Sequence, residues 1–495
     1  MKPPRWAHVD PRTPVLVGVG VASQHLDEPG AGVEALELMV AAARSAGDDT
    51  GAPDILGAVQ RVAVPHGSWH YGDPGRVVAE RVGAPAAATV LAETGIPQQT
   101  LLNAAHGAIG DGKLDVVLIV GGEAARRATM ARRSGVIVLD TDQHGATPDD
   151  HQRPTGEIVT RVEIEGGFSS APGSFALIDS ALRHAEGRTL DEHRDEIAQL
   201  WAGFNTVAGR FPHAAFPEPR DAAFLREPST ANRPIAFPYN KWHCAQLNVD
   251  QAAAILVCSL DAAARFGVDP DRVVFPLVAL ESSSMVPVSQ RRDLHRWPAM
   301  EVLGRAAEAH LGHALAEIEL AEVYSCFPAA VRVQQRALRL PVDGVPTNTG
   351  GEAFAGGPWN NFVLQGTAAT VERLRAGPES TALVTTVSGL LNKPGLAVYA
   401  TQPGPEPLLL ADLANDADRA TPRLDAIAGH RGPARVAAYT VGYERSEPAT
   451  WTVIADTPDG ERCVATSDDA DLARQATREE MIGLTVRVDG ARLEG

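Results

Sequence analysis

The sequence predicts an α/β protein made of two similar halves, with a domain inserted between them and a small OB-like β-barrel at the C-terminal end. Three observations predict it. Two glycine–proline elbows recur, Gly95-Ile96-Pro97-Gln98-Gln99 and Gly356-Gly357-Pro358-Trp359-Asn360. Each precedes an Ala-rich helical pattern, a glycine (Gly112, Gly377) and an apolar run (Leu114 to Gly121, Thr381 to Gly389). Between about Glu123 and Ala236 the composition turns richer in Arg, His, Pro and Gly, as an insertion would. After Pro433 the pattern becomes one of short β-strands.

Taken in order, Val15 to Gly20 (VLVGVG) is a buried-strand pattern ending in glycines, and Gly32 to Ala46 has helical periodicity. A dinucleotide site is set aside there, because Ser23 stands where the third glycine belongs and no acidic residue ends a second strand. Leu114 to Val120 reads as a central parallel strand, apolar throughout because both faces are covered. In the insertion, loops are expected at Asp140 to Arg153 and Phe211 to Arg220, and helices at Ser174 to Glu186 and Leu190 to Ala208. Val249 to Phe266 then gives an Ala-rich buried strand and helix. The second half follows: strand Arg272 to Leu280, helix Pro298 to His310, strand Ile318 to Tyr324 and helix Pro328 to Leu338. After the loop and helix around Asn348 come strands Thr381 to Leu391 and Leu396 to Thr401.

At each elbow, Gly supplies unusual φ angles and close approach, and Pro suits the first helical position. Two helix N-termini would then face one polarised group. A linker rich in Pro, Asp and Ala (Gln402 to Pro433) leads to strands at Ala434 to Tyr443, Trp451 to Asp456, Glu461 to Thr466 and Leu484 to Val488. Pro458-Asp459-Gly460 marks a hairpin and Asp468 to Gln475 a short helix. A closed barrel of about five strands fits this pattern.

With 495 residues there is room for two or three domains. The net charge of −18 argues against broad polyanion binding, which needs clustered cations. Only four lysines occur (Lys2, Lys113, Lys241, Lys393), which we read as the codon bias of a GC-rich bacterial genome. The four cysteines (Cys244, Cys258, Cys326, Cys463) show no C-x-x-C spacing, so neither structural zinc nor a disulfide framework is expected. The start, MKPPRWAHVDPRTP, has no apolar signal region and no run reaches membrane-spanning length, so a cytoplasmic location is the expectation.

Five motifs carry a resemblance: VGVG near the start, DVVLIVGGEA at Asp115 to Ala124, VDQAAAILVCS at Val249 to Ser259, EVYSCFPAAV at Glu322 to Val331 and NTGGEAFAGGP at Asn348 to Pro358. With them the chain resembles the thiolase superfamily, and within it the type 1 thiolase-like proteins near the sterol-carrier-protein thiolases. The resemblance covers roughly Arg12 to Thr401. It implies a five-layered αβαβα thiolase fold with an inserted loop domain. The expected division is an N-terminal half (10–122 and 236–268), a loop domain (123–235), a C-terminal half (269–403) and an additional C-terminal β domain (417–495).

Thiolases join or cleave acyl-CoA units, and the resemblance implies four functional slots. Counting back from Gly112 puts the nucleophilic cysteine's slot at Gly95, with Thr94 and Ile96 as neighbours. The N-E-A-F motif aligns with Tyr324-Ser325-Cys326-Phe327, so its Asn is Tyr324 while Phe327 matches. The G-H-P motif is Gly356-Gly357-Pro358, so its His is Gly357. The C-x-G motif aligns with Val387-Ser388-Gly389, so the acid/base cysteine is Val387. Losing the nucleophile of a multi-residue machine costs about a million-fold in turnover, and losing one oxyanion donor roughly a hundred- to a thousand-fold. Ordinary thiolase activity is therefore expected to be absent.

What remains is a pocket expected at Gly95, Tyr324, Phe327, Asn348, Gly356, Gly357 and Gly389, holding an acyl-CoA or related thioester of lipid metabolism. No cofactor or metal is expected, CoA or acyl-CoA being the ligand. The alternatives are an acyltransferase with a non-standard nucleophile, or an interaction protein whose barrel docks a protein or nucleic acid.

Several side chains keep two readings each. Cys326 is a displaced nucleophile or an inert small hydrophobe. Glu352 is a desolvated general base or, the favoured reading, a solvated loop carboxylate. Tyr324 donates its hydroxyl to a carbonyl or fills the vacated space with its ring. His106 is expected to be a satisfied polar group facing away from the pocket, and the adjoining His243 and Cys244 lack further metal ligands. Arg126, Arg127, Arg132, Arg133, Arg220, Arg226 and Arg233 meet CoA phosphates or form a solvated face. The barrel's charges are mixed and its aromatics few (Tyr439, Tyr443, Trp451), which favours packing or a lid over nucleic-acid binding. A homodimer is the family expectation, with a monomer open because the added domain could cover the dimer surface.

Overall fold

The computed structural model describes residue 6, residues 8–168 and residues 170–494. Of the positions named above, Lys2 and Gly495 lie outside the described residues.

Two mixed sheets carry the two halves. The first runs Pro14–Ser23, Asp250–Ser259, Val116–Ala124, Arg61–Pro65, Ala88–Ala92 and Asp150–Gln152 in spatial order. The second runs Leu320–Glu322, Thr381–Ser388, Lys393–Ala400, Phe275–Glu281 and Leu409–Asp412. The strand expected to be parallel, Val116–Ala124, is so only toward Arg61–Pro65 and is antiparallel to Asp250–Ser259. Asp250–Ser259 is buried at every position, as its unbroken DQAAAILVCS requires of a strand covered on both faces.

The helices Gln98–Gly110 and Phe362–Ala376 lie between the sheets. Leu101, Leu102 and Ile109 of the first and Leu364, Val371 and Leu374 of the second share a core with Ile119 and Ile255 of one sheet and Val384 and Tyr399 of the other. A layer pressed from both sides must be apolar nearly all round, and each such side chain contributes about 1.5–3 kcal/mol on burial. Ala35–Asp49 and Pro74–Arg81 cover the outer face of the first sheet. Pro298–Leu311 and Pro328–Ala337 cover that of the second. These are the five layers αβαβα.

The elbows differ in detail from the expectation. Pro97 stands one residue before its helix, and Pro358 precedes a tight turn, Trp359–Asn361, so that the second helix begins only at Phe362. The two N-termini still meet, since Gln98 Nε2 donates to Asn360 Oδ1 at 2.5 Å.

The stretch read as a linker is partly ordered into the body. Leu409–Asp412 adds a parallel edge strand beside Phe275–Glu281, and Ala414–Ala420 is helical. Leu409 and Ala411 pack on the core, which decides the matter over their Pro-rich surroundings.

The C-terminal barrel closes because Arg431–Glu444 pairs on one side with Glu447–Asp456 and on the other with Thr485–Asp489. Arg462–Ser467 and Arg492–Glu494 complete the ring, the last a strand the sequence pattern did not reveal. Inside are Tyr439, Val441, Trp451, Val453 and Met481. The outer face is docked onto the insertion: Ala438, Ile454 and Val464 share the large core that holds Phe175 and Ile178. A hairpin at the end of the insertion, Pro234–Ala236 with Tyr239–Asn240 just beyond it, extends the barrel sheet through the Gly442–Ala236 pair.

Candidate functional site

A cavity of about 540 Å³ opens where the first elbow, the turn at Tyr324–Phe327, the Glu352 helix and the insertion helix Ala171–Ala185 converge. Gly95, Tyr324, Phe327, Val387 and Gly389 line it together with Cys244, Cys326, Glu352 and Trp359. Gly357 stands directly behind, since a Cβ there would lie 3.3 Å from both the Ala245 Cβ and Glu352 Oε2. The fold thus gathers the four slots Gly95, Tyr324, Gly357 and Val387 around one space.

Three of the expected pocket residues, Asn348, Gly356 and Gly357, do not line it. Asn348 faces the interior: its backbone N–H donates to Glu322 Oε2 at 2.6 Å and its side chain to Thr370 Oγ1 at 2.9 Å. Gly356 is pressed against Gln251, whose Oε1 would sit 2.3 Å from a Cβ at 356. Both shape the loop from behind, because the glycines bring backbone against neighbouring elements.

Glu322 organises that loop, a role the sequence did not suggest. Its carboxyl accepts from the Thr347 and Thr349 hydroxyls and from the Asn348 and Thr349 N–H groups, at 2.6–3.0 Å. Burial nevertheless pushes its pKa up to about 7, against those hydrogen bonds.

Gly95 has φ +103°, in the region that L side chains rarely adopt, and a Cβ there would lie 3.1 Å from Pro154. Its carbonyl accepts from Lys393 Nζ at 3.2 Å. Position 95 is therefore built for the absence of a side chain.

Glu352 corrects the favoured expectation of a solvated carboxylate. It is 2% exposed and its Oε1 has no hydrogen-bond partner among the described residues. Burial raises its pKa to about 8, against hydrogen bonds from the Ser325 backbone and the Tyr324 hydroxyl and with the Glu322 charge. The phenol of Tyr324 is pushed well above its usual range by burial and by Glu352. The Tyr324 ring packs edge-on against Phe362, the two ring centroids 5.9 Å apart.

Neither cavity cysteine is an activated thiol. Burial pushes Cys244 up to about 12, and burial with the neighbouring Glu352 drives Cys326 well above its normal range. The helix beginning at Pro328 would favour a thiolate at Cys326, but desolvation outweighs a helix end's 0.3–1 kcal/mol, roughly. His243 is buried, its Nδ1 accepting from the Asn240 N–H at 3.0 Å. His106, expected to be satisfied, sits in the middle helical layer with both ring nitrogens unpartnered among the described residues, and burial lowers its pKa to about 4.

The arginines considered for phosphates are mostly engaged. Arg127 pairs with Asp140, Arg226 with Asp191, Asp195 and Glu227, and Arg220 lies over the Trp242 ring at 3.8 Å. Arg126 donates to the Leu26 carbonyl, and Arg233 lines a second cavity with Arg194 and Tyr443. Arg132 and Arg133 lie in the last turn of the helix Ala125–Ser134, Arg133 at the surface. Among the described residues no group of three or more His, Cys, Asp or Glu could hold a metal ion, and no helix is long and apolar enough to cross a membrane.

The added domain and the core together give the class. Residues 415–491 match the family model described as the thiolase-like protein type 1 additional C-terminal domain. The chain is a thiolase homologue whose C-terminal region matches that added-domain model.

Among solved structures it is similar to a monomeric SCP2-thiolase-like protein type 1 from Mycobacterium smegmatis, with 29% identity and a TM-score of 0.81. That likeness covers 97% of this chain and 98% of the other. The dimeric peroxisomal thiolase of Saccharomyces cerevisiae shares the fold at 14% identity and a TM-score of 0.53, over 80% of this chain and 98% of its own. A curated acetyl-CoA acetyltransferase of Methanocaldococcus jannaschii is 24% identical over 232 residues, or 46% of this chain. The match spans 50% of that enzyme's length.

Proposed function

We propose that this protein binds an acyl-CoA or related acyl thioester in lipid metabolism without performing the thiolase reaction. The observation that carries the reading is the cavity of about 540 Å³ whose nucleophile slot is Gly95 and whose two lining thiols are held protonated. Its lining of Phe168, Phe175, Phe327, Val387 and Leu390 suits a hydrocarbon chain. An acyltransferase using Cys326 would need a thiolate where burial opposes one. Nucleic-acid binding through the barrel is disfavoured because Tyr439 and Trp451 are spent in its core.

The domain boundaries given above belong to this proposal, with the added domain serving as a packing element. A monomer is the assembly we favour, supported by the monomeric Mycobacterium smegmatis relative and by the covering of strand Ala88–Ala92 by the chain's own Asp150–Gln152. Calorimetry with CoA and acetoacetyl-CoA tests the ligand class. Saturable heat is expected, and neither heat nor a thermal shift at millimolar ligand would reject it.

A further inference from the structure

We propose that the cleft between the insertion and the C-terminal barrel is a second binding site, made for a nucleoside phosphate. It shares no lining residue with the cavity at Gly95 and does not rest on the acyl-thioester reading.

The cleft encloses about 600 Å³, within the size range of small-molecule sites. The insertion supplies one wall, through Arg194 of the helix Leu190–Ala208 and the segment 228–240 that follows it. The barrel supplies the other, through Tyr443, Ser446, Pro448 and Thr477. Tyr239 and Phe327, stacked with ring centroids 5.8 Å apart, line one cavity each.

Charge carries the inference. The chain has 62 Asp and Glu against 44 Lys and Arg, yet among the described residues no carboxylate lines this cleft while Arg194 and Arg233 do. Arg233 is exposed and, among the described residues, pairs with no carboxylate. Arg194 is only loosely neutralised, 3.4 Å from Asp191 and 3.7 Å from Glu227. Arg226 holds Asp191 more tightly, at 2.9 Å, and pairs with Glu227 as well. Lys241 stands close by, held below its usual pKa range by burial and by Arg220 and Arg233. Cations left without counter-ions on so acidic a chain attract an anion from outside.

The donors on the walls favour phosphate among anions. Beside the two guanidinium forks stand the hydroxyls of Thr230, Ser446 and Ser229, and the last accepts from the Asn232 N–H and so keeps its own proton to donate. A carboxylate has two oxygens for these donors, whereas a phosphate ester offers three in a shape that guanidinium forks match. The turn that carries Ser446 is also unusual. Arg445 and Ser446 have φ of +49° and +73°, in a two-residue hairpin loop that ordinarily takes Asn or Gly.

One phosphate would leave most of the cleft unfilled. The remaining surface is aromatic: Tyr443 and Phe237, both half-buried, line it. Tyr439 and Trp451 belong to the barrel's core and Tyr443 does not, which leaves its ring for a planar group to stack on. A base joined through its sugar to phosphate meets both halves of the site.

Calorimetric titration of ADP into the full-length protein tests this, with adenosine and inorganic pyrophosphate as separate arms. Saturable binding of ADP is expected, at least about tenfold tighter than either half alone. Arg233→Gln, at an exposed position outside any described ion pair, should weaken ADP at least about tenfold, as loss of a charged hydrogen bond does. Arg233→Lys should fall between, and Tyr443→Leu should bring ADP down toward pyrophosphate. No saturable heat at millimolar ADP overturns the proposal. So does ADP binding that Arg233→Gln leaves unchanged, which would place the nucleotide elsewhere, or pyrophosphate binding as tightly as ADP, which would make the cleft a simple anion trap.

Discussion

Lys393 Nζ donates a hydrogen bond to the carbonyl oxygen of Gly95 at 3.2 Å, from a side chain buried behind the first elbow. Glu281 lies within electrostatic reach, its carboxyl accepting from Thr100 Oγ1 and from Asn103 Nδ2 at the start of the elbow's helix. One of the chain's four lysines therefore pins the strained turn to the second sheet. Lys393→Met should leave the Gly95 carbonyl without its donor and loosen the turn. A loss of about 1–3 kcal/mol in urea denaturation is expected, together with weaker acetoacetyl-CoA binding.

Restoring the missing nucleophile should fail. Gly95→Cys puts a Cβ at φ +103°, 3.1 Å from Pro154, so the variant should lose about 1–3 kcal/mol of stability. Thiolysis of acetoacetyl-CoA should stay at the level of the unmodified protein, because the imidazole, amide and second-cysteine slots remain Gly357, Tyr324 and Val387.

The buried carboxyls give stability a definite dependence on pH. Glu352 and Glu322 have folded pKa values raised to about 8 and about 7, so the folded state binds protons more tightly than the unfolded chain. Their contribution is fully present below the ordinary carboxylate range and is lost as pH rises through the folded values. Unfolding free energies from urea titrations should therefore fall by a few kcal/mol between about pH 5 and pH 8. Glu352→Gln should flatten the upper part of that curve, and an unchanged slope would contradict the assignment.

The barrel should be energetically part of the body. Arg183, buried on the insertion helix, makes a bidentate pair with Glu480 at 2.7 and 2.9 Å, and Ser180 Oγ on the same helix accepts from the Tyr439 N–H at 3.0 Å. Because Glu480 is partly exposed, Arg183→Ala should cost only about 1–3 kcal/mol. Thermal unfolding followed by barrel and core probes should show the barrel releasing first in the variant and a single transition in the parent.

How far these features could be read from residues alone follows from what each depends on. The long apolar strand Asp250–Ser259 and the two middle-layer helices were legible, because burial on both sides demands continuous hydrocarbon. Leu409–Asp412 was not, since four residues among prolines give no period and only the neighbouring strand Phe275–Glu281 orders them. Asp150–Gln152, reading DHQ, has no apolar residue at all and is a strand through backbone pairing with Val90–Ala92. Gly95 follows from a glycine count and Tyr324, Gly357 and Val387 from three short motifs, and the fold brings these positions around one cavity. Glu352 could not be placed in the same way. Its neighbours in sequence are glycines typical of an exposed loop, while the groups that bury it, Tyr324, Ser325 and Gly357, come from other turns.

The most direct measurement is to hold the purified protein with saturating acetoacetyl-CoA and free CoA, and to quantify acetyl-CoA while binding is monitored in the same sample. A cavity with no sulfur able to ionise should fill with thioester yet release no acetyl-CoA above the protein-free rate, and mass spectrometry should find no acylated cysteine. Sustained thiolysis, or an acetyl group on Cys326 or Cys244, would contradict the account.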